Sequence, residues 1–231
     1  TSILSFVILG VMAVFFWALF FSRHQDVHFY WFAALCAALS VRSLCYDCFA
    51  LLDLFPDLSW IAYFRIGYVT FPVAMIAFIG FLRAVYPDLL SRPVKIIFIT
   101  PYVLYIFCIV LFPARVTSLL LHPMLLFGFV TGMYGLAVIL RAVIARKDNA
   151  QWFAVGFSFA IMAFVNDLLI SMWLVSGLSL TPVGMILCLF CMAIMVIEQY
   201  SLSFEKTRNL SAQLQLTNKA LRRFVPAEFL S

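Results

Sequence analysis

The chain has 231 residues, 66% of them hydrophobic and 11% charged, with a formal net charge of +5 and a mean hydropathy of +1.10. No soluble globular domain needs that much apolar surface, which leaves an integral membrane protein as the class. The excess of cations does not point to nucleic acid, because no compact basic patch with interleaved aromatics remains once the loops are assigned.

A helix that crosses a bilayer needs ~20 mostly apolar residues, so that its backbone groups pair internally where the solvent offers no partners. Seven such runs follow one another: Ile3 to Phe21, Val27 to Leu52, Trp60 to Val85, Val94 to Phe112, Thr117 to Leu140, Trp152 to Val175 and Leu180 to Tyr200. Breaks between them hold loop residues, among them Pro56 and Asp57, Pro87 and Asp88, Pro113, Asp148 and Asn149, and Gly177. The expected fold is therefore all-α, a seven-helix transmembrane bundle over residues 1–203.

Lys and Arg flanking spans are retained on the cytoplasmic side. Alternate connections hold Arg23; then Arg83, Arg92 and Lys95; then Arg141, Arg146 and Lys147. The tail adds Lys206, Arg208, Lys219, Arg222 and Arg223, and the opposite side keeps Arg42, Arg65 and Arg115. The N-terminus is thus expected outside and the C-terminus in the cytoplasm. Apolar sequence begins directly after Thr1 without a cationic leader, so the first run does not read as a secretory signal peptide. The chain reads as a piece of a longer protein.

In the first inner loop His24 and His28 flank Asp26 at helical ligand spacing, but no third ligand stands nearby, and a solvated loop is the reading taken. Six cysteines, Cys36, Cys45, Cys48, Cys108, Cys188 and Cys191, fall in or beside the spans, where they pack as small hydrophobes. Two pairs, Cys45 with Cys48 and Cys188 with Cys191, have zinc-knuckle spacing. In lipid, a metal would require two rigid spans to meet at one depth with deprotonated thiols, so no metal is assigned.

Charges inside the runs are more informative. Arg42 and Asp47 lie in the second, Arg65 opens the third, and Asn166 and Asp167 lie in the sixth, all toward the outer side. Each costs on the order of 2–4 kcal/mol at mid-membrane, so such groups face the bundle interior or water and pair. The expectation is an outward-facing polar cluster in which Asp47 or Asp167 neutralises Arg42 or Arg65; the alternative for Asp47 and Arg65 is snorkelling to headgroups. His122 and Pro123 are read as opening the fifth span, where proline breaks no hydrogen bond. Pro72, Pro101 and Pro182 are candidate kinks, Glu198 is read as interfacial, and the many phenylalanines, with Trp17, Trp31, Trp60, Trp152 and Trp173, are read as mostly facing lipid or forming belts.

After Tyr200 the pattern thins. Thr207, Leu210, Leu214, Thr217, Leu221 and Phe224 recur at alternating spacings of 3 and 4, the seam of a parallel two-stranded coiled coil over residues 204–225. An amphipathic helix lying on the inner leaflet is the alternative, which the basic residues would also suit. Pro226 should stop the helix near Val225.

The segment that follows, Arg223, Phe224, Val225, Pro226, Ala227, Glu228, Phe229, Leu230 and Ser231, resembles the leader joining a signalling helix to a class III nucleotide cyclase domain. The seven runs, with Leu54, Phe55, Pro56 and Asp57, then Trp60, Arg65 and Tyr68, Asn166 and Asp167, and Gln199 through Phe204, resemble bacterial seven-transmembrane receptors with diverse intracellular signalling modules. The resemblance implies a bacterial inner-membrane receptor in the lipid bilayer, dimeric through its cytoplasmic helix. It also implies an upstream extracytoplasmic sensor domain and, joined through residues 226–231, a downstream adenylate cyclase using ATP and Mg. No catalytic position and no cofactor site falls in residues 1–231. The alternative is a polytopic transporter or channel subunit, against which stand the odd span count and the few charges in the inner half of the spans. A retinal linkage needs a buried lysine, whereas Lys95, Lys147, Lys206 and Lys219 all lie at or beyond span ends.

Overall fold

The computed structural model describes residues 2–22, 27–46, 51–52, 55–147, 150–171, 175–177 and 180–224. No β-strand occurs among them. The helices are α1 (Ser2–Ser22), α2 (Val27–Tyr46), α3 (Trp60–Val85), α4 (Arg92–Leu111), α5 (Ala114–Ile144), α6 (Ala150–Ser171) and α7 (Thr181–Phe224). Among the described residues, α1 to α5 are long and apolar enough to cross a membrane.

Consecutive helices reverse direction. Gly10 of α1 faces Ser40 of α2 while Phe16 packs on Phe29 and Phe32, so the two run antiparallel. The same crossing pattern joins α2 to α3, through Cys45 against Gly67 and Trp31 against Gly80. α3 is the hub, packing on α2, α4 and α5, and its aromatic side chains reach α6. Contacts between α1 and α7 close the arrangement.

A file of aromatic rings runs through an otherwise aliphatic interior. Phe16 meets Phe32, Phe32 meets Phe81, and Phe81 meets Phe153 edge-on at 5.7 Å between ring centroids. Phe153 then contacts Phe157, which stacks on Phe78 at 4.9 Å. These rings are buried and depart from the expectation that phenylalanines face lipid, whereas Phe15, Phe21, Phe107, Phe159 and Phe190 are exposed as that expectation has it. Lipid is as apolar as a phenyl ring, so nothing expels Phe from it; rings are recruited inward where shape and edge-to-face geometry give dispersion contacts that lipid cannot match.

Helix ends differ from the sequence reading in two places. α5 begins at Ala114 after Pro113, with the Thr117 and Ser118 hydroxyls donating back to the Ala114 carbonyl at 2.9 and 2.8 Å. Pro123 is consequently inside the helix, not at its start. Pro182, by contrast, is the second residue of α7, in the first turn where an amide has no intrahelical acceptor to lose. At the other end of α5, Arg146 adopts φ 50° and Lys147 donates its amide to the Ala142 carbonyl at 3.1 Å, a left-handed cap that turns the chain toward α6.

Candidate functional site

Asn166 and Asp167 occupy the last turns of α6, and the chain returns at Leu180 to start α7. The Leu180 amide donates to Asp167 Oδ1 at 2.8 Å, and Asn166 Nδ2 donates to the same oxygen at 3.1 Å. The first amides of a helix have no intrahelical acceptor and carry partial positive charge, so a carboxylate placed there both satisfies a donor and stabilises the helix start. Asp167 therefore pins the beginning of α7 to the end of α6.

Arg42 lies on α2 with its guanidinium carbon 5.4 Å from the Phe71 ring centroid on α3. One turn along α2, Cys45 packs its Sγ 4.0 Å from the position a Gly67 Cβ would take, and its carbonyl accepts a hydrogen bond from the Tyr63 hydroxyl. Arg65 is exposed on the second turn of α3, which suits the snorkelling alternative. Asp47 lies outside the described residues. The structure thus brings Asn166 and Asp167 together with the α7 start, and places Arg42 at the α2–α3 seam.

α7 carries the longest span of continuous helix. Its 44 residues from Thr181 to Phe224 would extend about 66 Å at ~1.5 Å per residue, roughly twice the ~30 Å of bilayer hydrocarbon. In its first part Cys188, Leu189, Met192 and Ala193 are buried. Gly156 of α6 lies so close that an added Cβ would be 2.5 Å from Cys191 Cβ and 3.2 Å from the Cys188 backbone. Gly184 mirrors this from α7, where a Cβ would meet Ala163 Cβ at 2.4 Å. Small residues on both helices let the backbones approach, the usual route to tight helix contact in lipid. Farther along, Thr207, Leu210 and Leu214 are all exposed, the two leucines at 61% and 64%. Thr217, Leu221 and Phe224 continue the helix in backbone, their side chains outside the described set, as is Arg223. Val225, Pro226, Glu228, Phe229 and Leu230 lie outside the described residues.

Among the described residues no group of three or more His, Cys, Asp or Glu comes together as a metal site. Cys188 is buried with Sγ 3.8 Å from Met192 Sδ, a soft packing contact, while Cys48, His24 and Asp26 are outside the described set. The sequence reading missed a buried hydroxyl seam between α4 and α5: Tyr102 donates to Thr131 Oγ1 at 2.8 Å and Tyr105 to the Thr117 carbonyl at 3.2 Å. The available signal was tyrosine three residues apart in an otherwise apolar run, since a buried phenol needs an acceptor.

A family model described as 7TM diverse intracellular signalling matches residues 1–199, ending inside α7. No curated protein and no solved structure matches the chain.

Proposed function

We propose, from the premise that this chain belongs to the 7TM diverse intracellular signalling family, that it is the membrane transducer of a receptor whose output lies on the cytoplasmic side. In this reading α6 and the apolar part of α7 complete a seven-span bundle with its N-terminus outside, and α7 passes the signal inward. The observation that carries it is the unbroken helix Thr181–Phe224: one end is locked to α6 through Asp167, Gly156 and Gly184, and the other presents Leu210 and Leu214 to a partner.

The partner is a second copy of the same helix, paired in parallel along Thr207, Leu210, Leu214, Thr217, Leu221 and Phe224. Two threonines on the seam make a weak coil, and a weak coil is one whose register or rotation a few kcal/mol can shift. The bundle has two packings, an external ligand or sensor domain favours one, and α7 turns or slides with that choice. The likeness of residues 223–231 to a cyclase leader favours an adenylate cyclase as output, bringing its own ATP and Mg, in the inner membrane of a bacterium.

The test is helical phase. In the full-length receptor, one or two residues inserted after Leu210 rotate everything below by ~100° each and should uncouple stimulus from cyclic AMP output, whereas seven inserted residues restore the seam and should retain coupling. Equal loss from both insertions would refute transmission through this helix.

A further inference from the structure

Away from α7, three helix ends surround a cleft of ≈ 420 Å³ lined by His28 and Trp31 of α2, Gly80, Arg83 and Ala84 of α3, and Lys95 of α4. Its walls follow from small residues. A Cβ on Gly80 would sit 2.4 Å from the Trp31 ring, so the indole lies directly against the α3 backbone, an approach that only glycine permits. Ala84, one turn on, keeps the same face low. Over the indole stands Lys95, with Nζ 5.1 Å from the ring centroid.

Arg83 forms the opposite wall. It donates from Nη1 to the Leu90 carbonyl at 2.8 Å, which fixes the guanidinium while leaving further N–H donors of its planar fork. Two cations therefore stand half-buried around one small space. Among the described residues neither is paired with a carboxylate: Asp88, the acid of the α3–α4 turn, is bonded instead to Lys147 at 2.7 Å. α4 also starts at this edge, with no side-chain cap from Ser91, so its positive helix end adds to the same field.

We propose that this cleft binds one phosphate-bearing anion: the headgroup of an anionic phospholipid, or a soluble phosphate ester of the same chemistry. A tetrahedral phosphate takes two oxygens to an arginine fork and a third to a lysine, and an indole beneath suits the glycerol carbons. Clustered cations between spans near the membrane surface are the arrangement that holds lipid phosphates, and tryptophan favours that depth. Arg83 and Lys95, which as residues near span ends are explained by topology alone, acquire a ligand. The proposal is independent of the signalling role.

Native mass spectrometry of the full chain in detergent, titrated with phosphatidylglycerol, tests it. One saturable site is expected. The R83Q/K95Q variant should bind about 10- to 30-fold more weakly, taking each cation near the surface at its usual worth. The R141Q/R146Q variant removes two exposed cations outside the cleft and should change affinity less than about twofold. Glycerol phosphate and inorganic phosphate then identify the source: displacement at concentrations similar to the lipid assigns a soluble ester, and failure to displace assigns a lipid. Thermal unfolding without added anion establishes that the variants are folded; should R83Q/K95Q not fold, K95Q alone carries the comparison with an expected loss of about fivefold. Wild-type affinity in the cleft variant, or equal loss in both double variants, overturns the proposal.

Discussion

The two parts of α7 are one helix in opposite surroundings. From Gly184 to Ala193 it is pressed against α6, with Met192 1% exposed and backbones close enough that glycine is required at Gly156 and Gly184. Beyond Ile197 the same helix shows Phe204, Leu210 and Leu214 outward. The first part has its contacts within the chain, and the second part leaves Leu210 and Leu214 exposed, which the proposed pairing with a second copy would cover. Close packing at one end and exposed leucines at the other are what the proposed transmission along this helix rests on.

The comparison breaks first at Gly184. Gly184→Leu should cost about 3 kcal/mol or more, since the new side chain meets Ala163 Cβ and the Phe159 carbonyl, the latter at 3.2 Å from the Cβ position. Thermal unfolding in detergent should show loss of the folded state. Gly132, with nothing within 4 Å of an added Cβ, is the control: Gly132→Ala should be neutral or gain up to about 1 kcal/mol from helix propensity.

Asp167→Ala removes the acceptor at the α7 start and should lower stability by about 1–3 kcal/mol, with Asp167→Asn milder because an oxygen remains to receive the Leu180 amide. If Asp167→Ala leaves both unfolding and coupling unchanged, the first part of α7 is not anchored as described. Tyr102→Phe, in the α4–α5 seam and remote from α7, should cost about 1 kcal/mol and leave coupling intact. The smallest stability effect is expected below the bundle. Leu210→Ser with Leu214→Ser should shift unfolding by less than about 0.5 kcal/mol while abolishing disulfide cross-linking between copies through a reporter Cys at Thr207. Cross-linking that persists would show that the exposed leucines are not the dimer seam.

Much of this was legible from residue types alone. The positions of α1, α3 and α4 follow from apolar length, and the long tail helix from the 3–4 spacing after Tyr200. Asn166 and Asp167 stood out because polar groups in a span need partners, and one partner of Asp167 is a backbone amide at the start of the next helix. That pairing has no sequence signature, since it depends on how far the chain travels between Ser171 and Leu180. The clefted arrangement of Arg83 and Lys95 was equally hidden: both read as ordinary cations at span ends, and only the seating of Trp31 on Gly80 makes a cavity between them.

Apolar length, the placement of cations and the helical period determined from sequence that this is a membrane protein of helices with a rod at its end, because each of those signals is local to one segment. Which faces meet was decided by tertiary structure. A helix that is apolar all round carries no periodic mark of its buried side, so the file from Phe16 to Phe78, the glycine contacts of α6 with α7 and the hydroxyl bonds of Tyr102 and Tyr105 emerge only when shapes from different helices are fitted together.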